Sequence, residues 1–506
     1  MRPFPRRKFL KISGAVAAQV MTPIGLSSAL GREADRKPPN IMFFLIDDMG
    51  WMDSEVYGST YYESPSQQRL AREGMMFTQA YVQPLCSPTR AAIMSGQYPG
   101  ARLHMHKAIT RGSRPNPKVP DSAGSRFKMC WPESRSNLPL NTRTIAEELK
   151  DAGYQTWFLG KWHLGNARYY PKKQGFDLNI AVGGAGPAGG YFAPWRIPEI
   201  DPGKNGEYIC ERLTKEACSL LETKGKSDKP FFMYFCHFNV HSPYQAKPEL
   251  IAQYENKAPG KNGQRHPIMG GMLHAMDDSV GTVLRKLDEL GLAEETIVIF
   301  LSDNGGVHWA NDKSPKYKGL PITSNAPLRG GKCCFYEGGV RVPMIVRWPG
   351  KVEAGSRCGT PVHAVDIYPT LAELAGAKPP GEKVLDGESI VPLLTGTGSL
   401  KREALYCHFP RSSTTAGTVG GSFVRKGDYK LIRLWGEGTA NTEHAYELYN
   451  LRNDLSESNN LAKKMPEKVK AMSAMLDKWL TETSALIPKP NPNYKHTPTS
   501  DKKGAI

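Results

Sequence analysis

The chain has no apolar run long enough to cross a membrane after its N-terminal segment, no internal repeat, and no pair of cysteines at metal-binding spacing. Those absences exclude a polytopic membrane protein, a repeat array and a zinc-finger module. Also missing are a clustered basic helix and any interleaving of aromatic with basic residues. The 66 Lys and Arg against 49 Asp and Glu, a net charge of +17, therefore do not read as a nucleic-acid surface. They steer anionic partners of another kind toward the protein. Nine cysteines form an odd set, and with Cys333 adjacent to Cys334 and Cys236 inside an apolar run no disulfide pairing is assigned.

Acid is absent altogether from residues 1–31, which hold Arg2, Arg6, Arg7, Lys8 and Lys11. Arg6-Arg7-Lys8-Phe9-Leu10-Lys11 leads into a stretch of apolar and small residues from Ile12 to Leu30, the pattern of a twin-arginine export signal. Gln19, Thr22, Pro23, Ser27 and Ser28 interrupt that stretch, so it is too weakly hydrophobic for a spanning helix. The expected setting is bacterial, with the folded chain passed by the twin-arginine machinery to the periplasm or the exterior. The remaining length of a 506-residue chain, 40% hydrophobic and 23% charged, suits one large domain and one smaller. Boundaries are expected at 39–390 and 400–485, with a closing helix near Pro466–Leu480 and a loose tail at 488–506 rich in Pro, Lys, Asn and Thr.

Several short apolar runs stop abruptly at polar residues. Asn40–Ile46 ends at Asp47-Asp48, and Thr296–Leu301 ends at Ser302-Asp303-Asn304-Gly305-Gly306. Phe231–Phe235 leads to His237 and His241, and Thr156–Gly160 leads to Lys161 and His163. Continuous apolar runs of this length are strands buried on both faces. Helical patterns lie between them, at Thr144–Ala152 and at Ala275–Leu290 with Val280, Val283, Leu284 and Leu287 on one stripe. Alternation predicts a mainly parallel α/β sheet, whose functional crevice lies beyond the carboxyl ends of its strands. Three carboxylates, Asp47, Asp48 and Asp303, with the Asn304 amide make an oxygen-only set suited to a hard cation such as Ca²⁺ or Mg²⁺. Lys161, His163, His241 and Lys332 add cations and imidazoles to the same rim.

Cys86-Ser87-Pro88-Thr89-Arg90 would say little alone. Together with Ile46–Gly50, Gly160–Gly165, Ser302–Gly306, Gly331-Lys332 and Tyr336–Pro343, in this order, it resembles the formylglycine-dependent sulfatases, the arylsulfatase-like branch of the alkaline phosphatase superfamily. The likeness runs from about Pro39 to Leu461. It implies a large mixed, mainly parallel sheet flanked by helices, with a smaller C-terminal α+β domain. It implies that Cys86 is oxidised to Cα-formylglycine by a formylglycine-generating or equivalent maturation enzyme that reads Pro88 and Arg90. One Ca²⁺ would be held by Asp47, Asp48, Asp303, Asn304 and the modified Cys86. Arg90 and Lys161 would hold the aldehyde hydrate, and His163 would take the proton that releases sulfate. Lys332 and His241 would grip the sulfate, and one of them would protonate the departing alcohol. His241 is preferred over its neighbour His237, and His308 and Arg329 are candidates for substrate contact.

Specificity is expected in loops outside these motifs, Lys107–Pro139 and Gly183–Trp195, the latter carrying Tyr191, Phe192 and Trp195. Those aromatics would either stack on a sugar or pack on the sheet. Export and a basic chain favour a sulfated carbohydrate as substrate. Two other readings stay open: a phosphate or phosphonate ester hydrolase of the same superfamily, and an unmodified carbohydrate-binding protein. Nothing in the sequence speaks to oligomeric state.

Overall fold

The computed structural model describes residues 37–109, 128–224, 227–412, 418–437 and 444–495, so the expected export signal lies outside the described residues. Among the described residues no helix is long and apolar enough to cross a membrane.

A nine-stranded sheet runs in the order Val362–His363, Met75–Tyr81, Arg341–Arg347, Thr296–Ser302, Asn40–Ile46, Phe231–Cys236, Gln155–Lys161 and Leu178–Gly183, with Ser356–Cys358 added beside Met75–Tyr81. Only Arg341–Arg347 runs against its neighbours; every other pairing is parallel, giving the expected mixed, mainly parallel sheet. Because two successive antiparallel steps restore direction, the strand that precedes Cys86 ends at the same edge as those that precede Asp47 and Asp303.

The unbroken apolar strands follow from burial on both faces. In Asn40–Ile46, Ile41, Phe43 and Leu45 enter one core while Met42, Phe44 and Ile46 enter the other. Each fully buried side chain of this size contributes about 1.5–3 kcal/mol. The first core is closed by helices Cys86–Ser95, Ile145–Asp151 and Ile367–Leu374, and the second by Ile209–Lys224 and Pro267–Glu289. Thr144 caps the helix expected at Thr144–Ala152 through a reciprocal pair with Glu147.

A second sheet of four antiparallel strands, Ala404–Phe409, Gly421–Lys426, Tyr429–Leu434 and Ala445–Asn450, is followed by helix Pro466–Glu482. One face of this sheet takes Met472, Leu476 and Leu480 of the helix against Val424, Leu431 and Leu448. The other face presents Leu405, Cys407, Phe409, Phe423 and Ile432 to Leu85, Cys86, Cys334 and Phe335. The small sheet thus backs directly onto Cys86. At the start of the segment expected to be a loose tail, Lys489–Pro490 pairs antiparallel with Met129–Cys130, and Asn491 N donates to the Lys128 carbonyl at 2.9 Å; residues 496–506 lie outside the described residues. Prolines hold this segment extended, and a two-residue edge pairing has little need of the donor that Pro490 lacks.

Candidate active site

The first ligand loops leave adjacent strands in register, Ile46 opposite Ser302. Asp47-Asp48 and Asp303-Asn304 therefore emerge side by side. Asp48 sits at φ 62°, an uncommon conformation for a non-glycine residue, held by its amide on Asp303 Oδ1 at 3.2 Å and by Ser302 Oγ, which accepts from Met49 N at 3.1 Å. The sequence places Ser302 at the head of the Ser302–Gly306 motif without giving it a role of its own.

Each carboxylate has its own cation. Arg90 donates through Nε (3.0 Å) and Nη2 (2.7 Å) to Asp303 Oδ2, and through Nη1 to the Lys161 carbonyl. Lys161 Nζ is paired with Asp47 Oδ2, and Lys332 Nζ with Asp48 Oδ2 at 2.7 Å. His241 Nε2 lies 3.8 Å from the same Asp48 oxygen. Arg90 is expected from the resemblance to hold the nucleophile; here three of its five N–H donors go to Asp303 and the Lys161 carbonyl.

Two oxygens in this cluster are buried without a hydrogen-bond partner among the described residues: Asp47 Oδ1 and Asn304 Oδ1. Asn304 gives its Nδ2 to Asp48 Oδ1 at 2.8 Å and to the Gly305 carbonyl at 3.0 Å, which turns its own oxygen away from both. Ligand atoms of Asp47, Cys86 and Asp303 all lie within 4.8 Å of one another. Orphaned buried oxygens converging on a space that small are costly unless something positive fills it. The donor set fits a hard divalent cation.

Cys86 opens helix Cys86–Ser95, with its thiol 1% exposed. Burial pushes the Cys86 thiol up, against the pull of Lys161 and Lys332. Its partner is His163, whose Nδ1 is 3.3 Å from Sγ, while Nε2 faces the Ile109 carbonyl at 3.3 Å. A carbonyl only accepts, so Nε2 carries the proton and Nδ1 offers a lone pair toward Cys86. Burial, reinforced by the charges of Lys161 and Arg90, keeps His163 neutral far below the usual imidazole range. His241 Nδ1 faces the Ser242 carbonyl at 2.8 Å, leaving Nε2 toward Asp48. Burial and the Lys332 charge push His241 down to about 3. Lys332 is held charged by Asp48 despite its burial.

His237 is a packing residue, stacked on Phe235 at 4.1 Å. Tyr191 and Trp195 are buried; the Tyr191 hydroxyl donates to the carbonyls of Phe238 (2.5 Å) and His241 (2.7 Å), so this loop sets the backbone that carries His241. His308 reaches the rim, its Nδ1 buried without a partner among the described residues and against Gly331, where an added Cβ would lie 2.5 Å away. Arg329 does not join the cluster: it stacks on Tyr336 at 3.8 Å and donates to the Tyr449 hydroxyl and the Glu457 carbonyl, both at 3.0 Å. Its charge serves the contact between the two sheets.

The family model named Sulfatase matches residues 39–377, and the model named N-sulphoglucosamine sulphohydrolase, C-terminal, matches residues 331–485. The chain belongs to the sulfatase family. It is a sulfuric ester hydrolase. A Formosa agariphila protein named as a sulfatase is 31% identical over 95% of each chain. The N-acetylgalactosamine-6-sulfatase of Rattus norvegicus is 33% identical, covering 77% of this chain and 72% of that one. Among solved structures, Ps i-CgsB in complex with k-i-k-neocarrahexaose superimposes with a TM-score of 0.70 at 28% identity, covering 92% of this sulfatase and 96% of that chain.

Proposed function

We propose that this sulfatase is exported and removes sulfate from a sulfated carbohydrate, using a Cα-formylglycine made from Cys86 and one Ca²⁺ held by Asp47, Asp48, Asp303, Asn304 and the modified residue. A ring nitrogen of His163 lying 3.3 Å from the sulfur of the buried Cys86 thiol, beside the Asp47 and Asp303 oxygens, is the observation that carries this reading. A thiol in that state is a poor nucleophile, whereas the hydroxyl of a hydrated aldehyde at the same position gives His163 a proton to accept. A bound Ca²⁺ supplies positive charge against the sulfate oxygens and makes that hydroxyl more acidic.

This chain's own side chains do the rest. Lys332, locked in its charged form on Asp48, offers a fixed cation to the sulfate. The same lock makes it a poor proton donor, so the departing alcohol takes its proton from His241, whose low affinity for a proton rises once an anion sits beside Nε2. Arg90 keeps Asp303 oriented and neutralises it. Lys161 does the same for Asp47. The sugar substrate draws support from the names of the relatives, an N-acetylgalactosamine-6-sulfatase and a protein solved with a carrageenan oligosaccharide.

The test has two parts. Mass spectrometry of the intact peptide across Cys86, from protein made in its native host, is expected to give the aldehyde mass; an unmodified thiol throughout would overturn the nucleophile. Sulfate release from sulfated oligosaccharides is expected to fall on chelation and return with Ca²⁺. A strong preference for the phosphate ester of the same alcohol would overturn the reaction.

A further inference from the structure

The segment that supplies the Ile109 carbonyl to His163 also carries a cation the reaction does not use. Lys107 is partly buried two residues earlier, and Arg411, also partly buried, holds its guanidinium 5.4 Å over the ring of Trp131. Among the described residues neither Lys107 nor Arg411 makes a hydrogen bond or an ion pair. This sets them apart from Lys161, Lys332, Lys430 and Arg90, each of which is buried against a carboxylate.

Burial lowers the Lys107 ammonium below its usual range, and the nearby Arg411 charge adds to that against the pull of Glu133. Burial does the same to Arg411. Beside them His106 is 1% exposed, and neither of its ring nitrogens has a hydrogen-bond partner among the described residues. Two like charges held together and partly out of water, next to an unused imidazole, raise the energy of the empty protein. An anion between them reverses the sign.

The Lys107 segment adjoins the helix of the catalytic cluster. Ile109 N donates to Ser87 Oγ at 3.2 Å, tying the Lys107 segment to the helix that Cys86 opens. We propose that Lys107 and Arg411 form a second anion subsite that binds a sulfate or uronate carboxylate on the sugar next to the one being desulfated, with His106 contributing a neutral hydrogen-bonding edge. This rests on the sulfatase reading and names a chemical class of substrate: a chain with an anionic neighbour, not an isolated sulfated monosaccharide. Arg suits the task because its planar donors match either oxyanion.

Binding to the Cys86→Ala protein tests the subsite without turnover. Calorimetry with size-matched oligosaccharides would compare κ-carrageenan, whose anhydrosugar neighbour is uncharged, with ι-carrageenan, where that neighbour carries a sulfate. A chondroitin 6-sulfate fragment supplies the carboxylate arm. The expected result is tighter binding of at least one anionic-neighbour ligand by about tenfold or more. Arg411→Gln and Lys107→Gln each remove most of that advantage, and Arg411→Lys, which keeps the cation, restores part of it. If Arg411→Gln fails to fold, Lys107→Gln carries the same comparison. Equal affinities in all arms, no binding of either anionic-neighbour ligand, or an advantage that survives both Gln variants would overturn the proposal. Sulfate release by the unaltered enzyme reads the sulfatase function separately, so the two can fail independently.

Discussion

In the proposed reaction, Cys86, His163 and His241 divide the chemistry by the direction in which each ring or thiol is tied. His163 gives its proton-bearing nitrogen to Ile109 and its lone pair to Cys86, whereas His241 is fixed through Ser242 with its free nitrogen toward Asp48. Cys86→Ala is expected to lower turnover by about four orders of magnitude or more with an unchanged melting temperature, since it removes the nucleophile and only one small side chain. His241→Ala is expected to cut kcat on sugar sulfates by about 10²–10⁴, and far less on 4-nitrophenyl sulfate, whose leaving group needs no proton. Equal losses on both substrates would remove His241 from the acid role. Arg90→Ala is expected to cost about 3–5 kcal/mol of stability by urea titration of the metal-free protein, because the buried Asp303 carboxylate then keeps only the Asp48 amide as a partner. The identities at this scale were legible because oxygen ligands, Lys and His recur at strand ends. The orientations were not: that Arg90 serves Asp303, that Arg329 serves Tyr449 and Glu457, and that Ser302 holds the Met49 amide depend on partners 120 to 253 residues away.

At the level of elements, strands were easier to read than the helices that cover them. Asn40–Ile46 and Thr296–Ser302 announce themselves by unbroken apolar sequence, but the helix expected to begin at Ala275 begins at Pro267. Gly270 and Gly271 hide its first turns from any propensity argument. Packing explains them: a Cβ on Gly270 would lie 2.5 Å from the Tyr254 ring, and one on Gly271 2.8 Å from Ala246. The loop after Asp303-Asn304 makes the same point where it bears on function. An added Cβ at Gly305 would lie 1.8 Å from the Gly338 carbonyl, backbone that has nowhere to go. Gly305→Ala is therefore expected to displace Asn304 and to lower both the melting temperature and the Ca²⁺ affinity seen by calorimetry. A variant with normal metal binding would show that the loop yields without moving its ligands.

For the molecule as a whole, the second sheet matters as the wall behind the catalytic helix. Its inner face is pinned by a buried ionic group in which Lys430 Nζ reaches Glu337 at 2.8 Å and Glu457 at 3.1 Å, while Glu457 accepts from the Glu337 amide at 2.6 Å. Burial, aided by the Glu337 charge and opposed by Lys430, pushes Glu457 up to about 7. A carboxyl raised on folding contributes stability that is full below the ordinary value of about 4.3 and is lost as pH rises through about 7. Melting temperature is thus expected to fall between about pH 4.5 and 7 in the native sequence and to fall less in Glu457→Gln; parallel curves would show that this carboxyl does not control the contact. Little of this was visible in the sequence, which marks a small C-terminal domain but not which of its faces meets Cys86. The wall also fixes an order of events. With Leu405, Cys407, Phe409 and Phe423 closed behind it, Cys86 keeps only 1% of its surface exposed in the folded protein. On the proposed function, conversion of Cys86 and folding compete in time, and a chain that folds first stays silent.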